Sequence, residues 1–86
     1  MNMSDTIKIH LRDFIVENFL FGDTDYVLED DASLIDNDIM DSTGVLELIA
    51  FIDEAFGVKM ADADIVPANL DSVAKIVSFV TARQAA

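Results

Sequence analysis

The sequence predicts an all-α fold: a small four-helix bundle of three longer helices and one short one. Three observations predict it. Apolar residues recur at spacings of three or four in three separate stretches. No strand pair is visible between them, and no internal repeat. At 86 residues, finally, the chain has room for one domain, spanning 1–86, with a single core. A domain this size buries only about 60% of its unfolded surface, so modest stability is expected.

In the first stretch, Ile7, Leu11, Phe14, Ile15 and Phe19 fall on one helical face. Lys8, Arg12, Asp13 and Glu17 occupy the rest, with His10 off the stripe as a surface residue. Ser4 or Asp5 can cap this helix, which is expected to run from Asp5 to Leu20 and to end near Gly22.

From Phe21 to Met40 the period is lost and seven Asp and Glu crowd in. Yet Val27, Leu28, Leu34, Ile35 and Ile39 are too apolar for a free linker. A loop of this length in a small domain is either functional or disordered. The expectation is a long ordered loop between helices one and two, pinned by Leu28, Leu34 and Ile39, with a turn at 31–34.

The second helix opens at Asp41-Ser42-Thr43-Gly44, capped by Asp41 or Ser42. Val45, Leu48, Ile49, Ile52 and Phe56 form its buried stripe, and Gly57 fits a left-handed C-terminal cap. Gly44 costs up to about 1 kcal/mol relative to alanine and leaves the surface beside Ser42 open. Asp62 to Val66 reads as the short helix, capped by Asp62, with Ile65 and Val66 inward and Pro67 ending it. Asp71 caps the last helix, whose stripe is Val73, Ile76, Val77 and Val80, and 81–86 is expected to fray.

Seventeen Asp and Glu against five Lys and Arg give a formal charge of −12. Such a field repels phosphate backbones and anionic lipid but suits basic protein surfaces. No segment has the makings of a signal peptide or a membrane span, so a cytoplasmic monomer without membrane insertion is expected. With no cysteine and one histidine, disulfides, cysteine-based metal sites and multi-histidine zinc sites are excluded.

Catalysis by this chain alone is not expected. A nucleophilic serine needs a base, and nothing in the sequence places His10 near one. A carboxylate pair needs a partly dry cleft, for which so small a chain leaves little room. Asp36, Asp38 and Glu47 imitate positions one, three and twelve of an EF-hand. Met40 at position five and Asp41 at the glycine position six break the match, and no metal site is expected.

What remains is protein interaction or a covalently attached group. Asp31-x-Ser33-Leu34, Asp41-Ser42-Thr43, Glu47-Leu48 and the run Phe51-Ile52-Asp53-Glu54-Ala55-Phe56-Gly57 together resemble an acyl carrier protein. In that family a loop delivers a D-S-L or D-S-F triplet, and the helix behind it carries an E-L pair and ends in E-x-F-G or E-x-F-D. The similarity runs over nearly the whole chain. A second Asp-Ser pair, Asp71-Ser72, has no E-L pair behind it, and Ser72 is read as a helix cap.

The resemblance implies that Ser42 carries a 4′-phosphopantetheine arm, transferred from coenzyme A by a Mg²⁺-dependent phosphopantetheinyl transferase. The arm's thiol would hold an acyl or aminoacyl group as a thioester for enzymes of fatty-acid, lipid or secondary-metabolite biosynthesis. Asp41, Glu47, Asp53 and Glu54 match positions that meet basic patches on such enzymes. Thr43, Leu46 and Ala50 are expected to border the same contact, and Phe51, off the core stripe, to meet either a partner or helix three.

Two departures bear on the cargo. Fatty-acid carriers usually have glycine two places before the aspartate and leucine after the serine, where this chain has Ile39 and Thr43. Asp41-Ser42-Thr43-Gly44 is nearer the D-S-F-G form of D-alanyl and other aminoacyl carriers, which are loaded by an AMP-forming ligase. The alternative of a different class is an unmodified acidic adaptor for a basic partner.

Overall fold

The computed structural model describes residues 3–23 and 25–85. Among them are four α-helices and no strands: α1 (Met3–Phe19), α2 (Ser42–Phe56), α3 (Pro67–Leu70) and α4 (Val73–Ala85), with a 3-10 turn at Asp62–Asp64. The chain is a small helical bundle. α4 packs against both α1 and α3. α2 stands further off, and its Phe51 ring stacks on Phe14 of α1 at 4.2 Å.

The predicted stripes supply most of the core, with Phe14, Phe19, Val45 and Phe56 partly buried at its edge and Ile49 half-buried outside it. Ile7, Leu11 and Ile15 of α1, Leu48 and Ile52 of α2, and Val73, Ile76, Val77 and Val80 of α4 are buried. Leu28, Leu34, Ile39 and Met40 join them from the loop, which is therefore ordered by burial of its own side chains. The expected pins Leu28, Leu34 and Ile39 are all buried, while Val27 and Ile35, the loop's other apolar residues, are exposed. A segment without a helical period has no single inward face, so hydrophobicity alone does not decide which of its residues turn in.

Polar contacts fix the loop further. The Asp30 carboxylate pairs with Lys8 at 2.9 Å and with Arg12, and its backbone carbonyl accepts the Ala74 N–H at 2.8 Å. Asp30 thus ties α1, the loop and α4 together. The Arg12 hydrogen bond, seconded by Lys8, holds the Asp30 carboxyl below its ordinary pKa. Two turns flank the expected place: the Ala32 N–H reaches the Glu29 carbonyl at 3.2 Å before it, and a longer turn follows. The Leu34 carbonyl accepts from Ile39 and Met40, and the Ser33 carbonyl accepts from Asn37, with Asp38 left-handed at φ 57°.

Several boundaries correct the expectation. α1 begins at Met3, so Ser4 and Asp5 lie inside its first turn rather than before it. At its end Phe21 (φ 53°) and Gly22 (φ 79°) are both left-handed, and the Gly22 N–H reaches the Val16 carbonyl at 2.8 Å. Asp62 does not cap the short turn. The Asp64 carboxylate accepts the Ala61 N–H instead, and Ile65 and Val66 face solvent.

Pro67 does not stop a helix but opens α3. At a first helical position the missing N–H has no intrahelical acceptor to lose, and proline's fixed φ suits the turn. α4 is capped by the Ser72 hydroxyl, which accepts the Lys75 N–H at 3.1 Å, while Asp71 bonds elsewhere. Residues 81–85 continue α4 rather than fraying, and Ala86 lies outside the described residues. Arg83 is held by Asp64 at 2.6 Å and lies 4.7 Å from the Phe79 ring centroid.

Candidate functional site

The loop delivers its chain to α2 at Asp41, whose extended backbone (φ −111°, ψ −171°) suits an N-cap. Its Oδ1 accepts the Gly44 N–H at 2.8 Å, and its carbonyl accepts the first helical bond, from Val45, at 3.0 Å. Asp41 therefore caps the helix, and Ser42 becomes its first residue. The Ser42 side chain is exposed, with no hydrogen-bond partner among the described residues. Position and freedom come from the same cause: Asp41 does the capping, so the hydroxyl of Ser42 has no structural task.

Gly44 is not the open spot that was expected. It is buried, and a β-carbon there would meet Met40 Cγ and Phe19 Cε1, each at 3.0 Å. The glycine lets α2 close on the end of α1.

Thr43, Leu46, Glu47, Ala50 and Glu54 are exposed and follow the helical period, so they form one continuous outward face. Leu46 is 67% exposed. α2 contains no basic residue, and this face is accordingly acidic. Asp53 is partly buried and lies 3.4 Å from Lys59, a pair too exposed to hold it firmly.

Phe51 is where the sequence misplaced a residue. It packs against the core, stacked on Phe14 and edge-on to Phe56 with ring centroids 5.5 Å apart. A helix that stands off from its neighbour needs long side chains to fill the gap, so its buried stripe widens by one position.

Beside Ser42 the structure opens a cleft of about 530 Å³ between the end of α1, the end of the loop and the start of α2. Phe19, Ile39 and Met40 line it, with Asp38, Asp41 and Glu47. Phe21 borders it too and is 92% exposed. The sequence leaves little room for a cleft; it does not single out Phe21, and it marks Asp38 only through the broken EF-hand match. The available signal was Phe21-Gly22 at the end of a helical period, where a large apolar residue follows the last turn into the chain reversal.

No protein-family model matches the sequence, and no curated protein matches it. Among solved structures, the chain is similar to a chain of one described as "Crystal structure of FAD-dependent dehydrogenase". The two are 30% identical with a TM-score of 0.72, over 81% of this chain and 97% of that one. The two chains belong to one family. Nearly all of that chain is matched by part of this one, so it is the shorter of the two. This chain has no G-x-G-x-x-G and no strand among its described residues, the parts from which a dinucleotide-binding unit is built.

Proposed function

We propose that this chain is an acyl carrier protein. It holds an acyl or aminoacyl group as a thioester on a 4′-phosphopantetheine arm at Ser42 and presents it to enzymes of fatty-acid, lipid or secondary-metabolite biosynthesis. The observation that carries this reading is the Ser42 hydroxyl: exposed, unengaged, and at the first position of α2 with its capping duty taken by Asp41. Beside it stand the E-L pair, the acidic face of α2 and the Phe56-Gly57 ending.

The residues present suit the group. When bound, the arm supplies a thiol on a long flexible tether. Ser42 Oγ is the attachment atom; it takes the phosphopantetheinyl phosphate of coenzyme A as the phosphoanhydride bond breaks and adenosine 3′,5′-bisphosphate leaves. The resulting phosphodiester would sit at the positive end of the α2 dipole, near amides that have no intrahelical acceptor. Glu47, Asp53 and Glu54, with Leu46 and Ala50 between them, offer basic enzymes a charged face with small apolar footholds. Catalysis belongs to those partners: the transferase, a loading ligase and acyl-using enzymes. The related chain comes from a structure described as an FAD-dependent dehydrogenase, which makes an oxidising flavoenzyme one candidate user of the cargo.

For the cargo, Ile39 and Thr43 depart from the usual fatty-acid pattern, and the Asp41-Ser42-Thr43-Gly44 form leaves a D-alanyl or aminoacyl group with an AMP-forming ligase as the alternative. Gly44 carries less weight, because close packing against Phe19 and Met40 already favours a glycine there.

Incubation with coenzyme A, Mg²⁺ and a broad-specificity phosphopantetheinyl transferase should add one phosphopantetheine by mass spectrometry, and Ser42→Ala should abolish the addition. An unchanged wild-type mass would leave the unmodified adaptor as the better reading.

A further inference from the structure

The cleft beside Ser42 has a composition that the carrier reading does not require. Its inner wall is apolar: Ile39 and Met40 are buried and Phe19 is half-buried. Its rim is anionic, with Asp38, Asp41 and Glu47 all exposed, and no basic residue lines it. The rim carboxylates of Asp38 and Glu47 have no ion-pair partner among the described residues, whereas Asp30, Asp53 and Asp64 are each paired with a Lys or Arg of this chain. At the edge stands Phe21, a large ring left almost wholly in solvent by a left-handed backbone that bulky residues seldom adopt.

We propose that this cleft is the docking slot for an arginine side chain of the protein that acts at Ser42. An arginine has the matching anatomy. Its methylene stem would lie on Phe19, Ile39 and Met40, its guanidinium would meet the carboxylates of Asp38 and Glu47, and its planar face would stack on Phe21. A lysine would fill the charge but not the stacking. The cleft's three carboxylates disfavour an anionic group and its rim disfavours a purely apolar one, so charge complementarity selects a cation with an apolar stem. The proposal rests on the carrier reading for the identity of the partner, not for the chemistry of the slot. It makes Phe21 and Asp38 positioning residues for the docked enzyme.

The test uses the whole chain with a phosphopantetheinyl transferase. Phe21→Ala and Asp38→Asn should each raise the KM for the carrier by about fivefold, as expected for loss of one cation–π or charged contact. The kcat should stay within about twofold of wild type, as the reacting atoms are untouched. Phe21→Tyr should restore the wild-type KM, and Val27→Ala, also highly exposed but outside the cleft, should not alter it. An unchanged KM in Phe21→Ala overturns the proposal.

A second arm does not depend on Ser42 chemistry. In a ¹⁵N NMR titration, the blocked tripeptide Ala-Arg-Ala should shift the amides of Phe21, Asp38 and Glu47, and its citrulline counterpart should not. Equal shifts from both peptides, or shifts spread evenly over the acidic surface, overturn the proposal. So does displacement of the arginine peptide when an acyl cargo is loaded, since the cleft would then be holding cargo. If wild-type Ser42 takes up no phosphopantetheine at all, the carrier reading fails and the peptide titration alone decides the slot.

Discussion

The Ser33 hydroxyl donates to the Asp71 carboxylate at 2.7 Å, joining two residues that lie 38 apart in the chain. Asp71 also accepts the Ile35 N–H on its other carboxylate oxygen at 3.1 Å, and the Leu34 N–H on its backbone carbonyl at 2.7 Å. Three consecutive loop residues are thus bonded to the entrance of α4. The same loop ends at Asp41, so the position of Ser42 depends on this attachment.

Asp71→Ala removes both carboxylate bonds and should destabilise the fold by about 2 kcal/mol, and Ser33→Ala by about 1 kcal/mol. Urea denaturation checks both, with the change appearing in the midpoint rather than in the slope. The double variant should cost less than the sum of the singles, because both remove the same bond.

Phe21 should separate stability from docking. Phe21→Gly relieves a left-handed backbone that costs a bulky residue about 1–2 kcal/mol, less what a glycine adds to the entropy of the unfolded chain. A rise in melting temperature is expected, together with poorer use by the transferase. A fall in melting temperature would mean that the ring contributes packing which its exposure does not suggest.

Asp30 should mark the acid limb of stability. Its folded pKa lies below the ordinary value, chiefly through the Arg12 hydrogen bond and then through Lys8. The stabilisation is therefore complete above the unfolded carboxylate pKa of about 4 and is lost as the pH falls through the lower folded value. Melting temperatures of wild type and Asp30→Asn should differ at pH 6 and converge only once the pH has fallen below the depressed folded value. The gap should be small, because the side chain is 42% exposed and water screens the pair.

Salt should stabilise the chain. A charge of −12 on 86 residues repels itself, and screening shortens the reach of that repulsion to about 10 Å at 0.1 M. Raising sodium chloride from 10 to 200 mM should lift the melting temperature by roughly 5 °C, the equivalent of about 1 kcal/mol in a domain this small. Magnesium should do so at lower concentration. A flat profile would show that the anionic groups are too far apart to interact.

Much of this protein is legible in its sequence. The three longer helices, their buried stripes, the αL cap at Gly57 and the acidic face of α2 follow from local rules, because a helical period maps directly onto one face. So does the placing of Asp41-Ser42 at a helix start, since capping is a contact among near neighbours.

What the tertiary structure alone decided lies where distant segments meet. Which of Asp41 and Ser42 caps α2, and hence which is free, depended on how the loop arrives. Asp71 looked like a helix cap and proved to be an anchor for Ser33 and Ile35. Gly44 looked like an opening and proved to be the point where α2 closes on Phe19 and Met40. Phe51 was drawn inward by Phe14, a residue of another helix. The cleft at Phe21 and Asp38 exists only because a chain reversal and a loop end converge beside Ser42. Periodicity reports the neighbours within a helix, while these contacts join residues far apart in the sequence, so only the folded chain could reveal them.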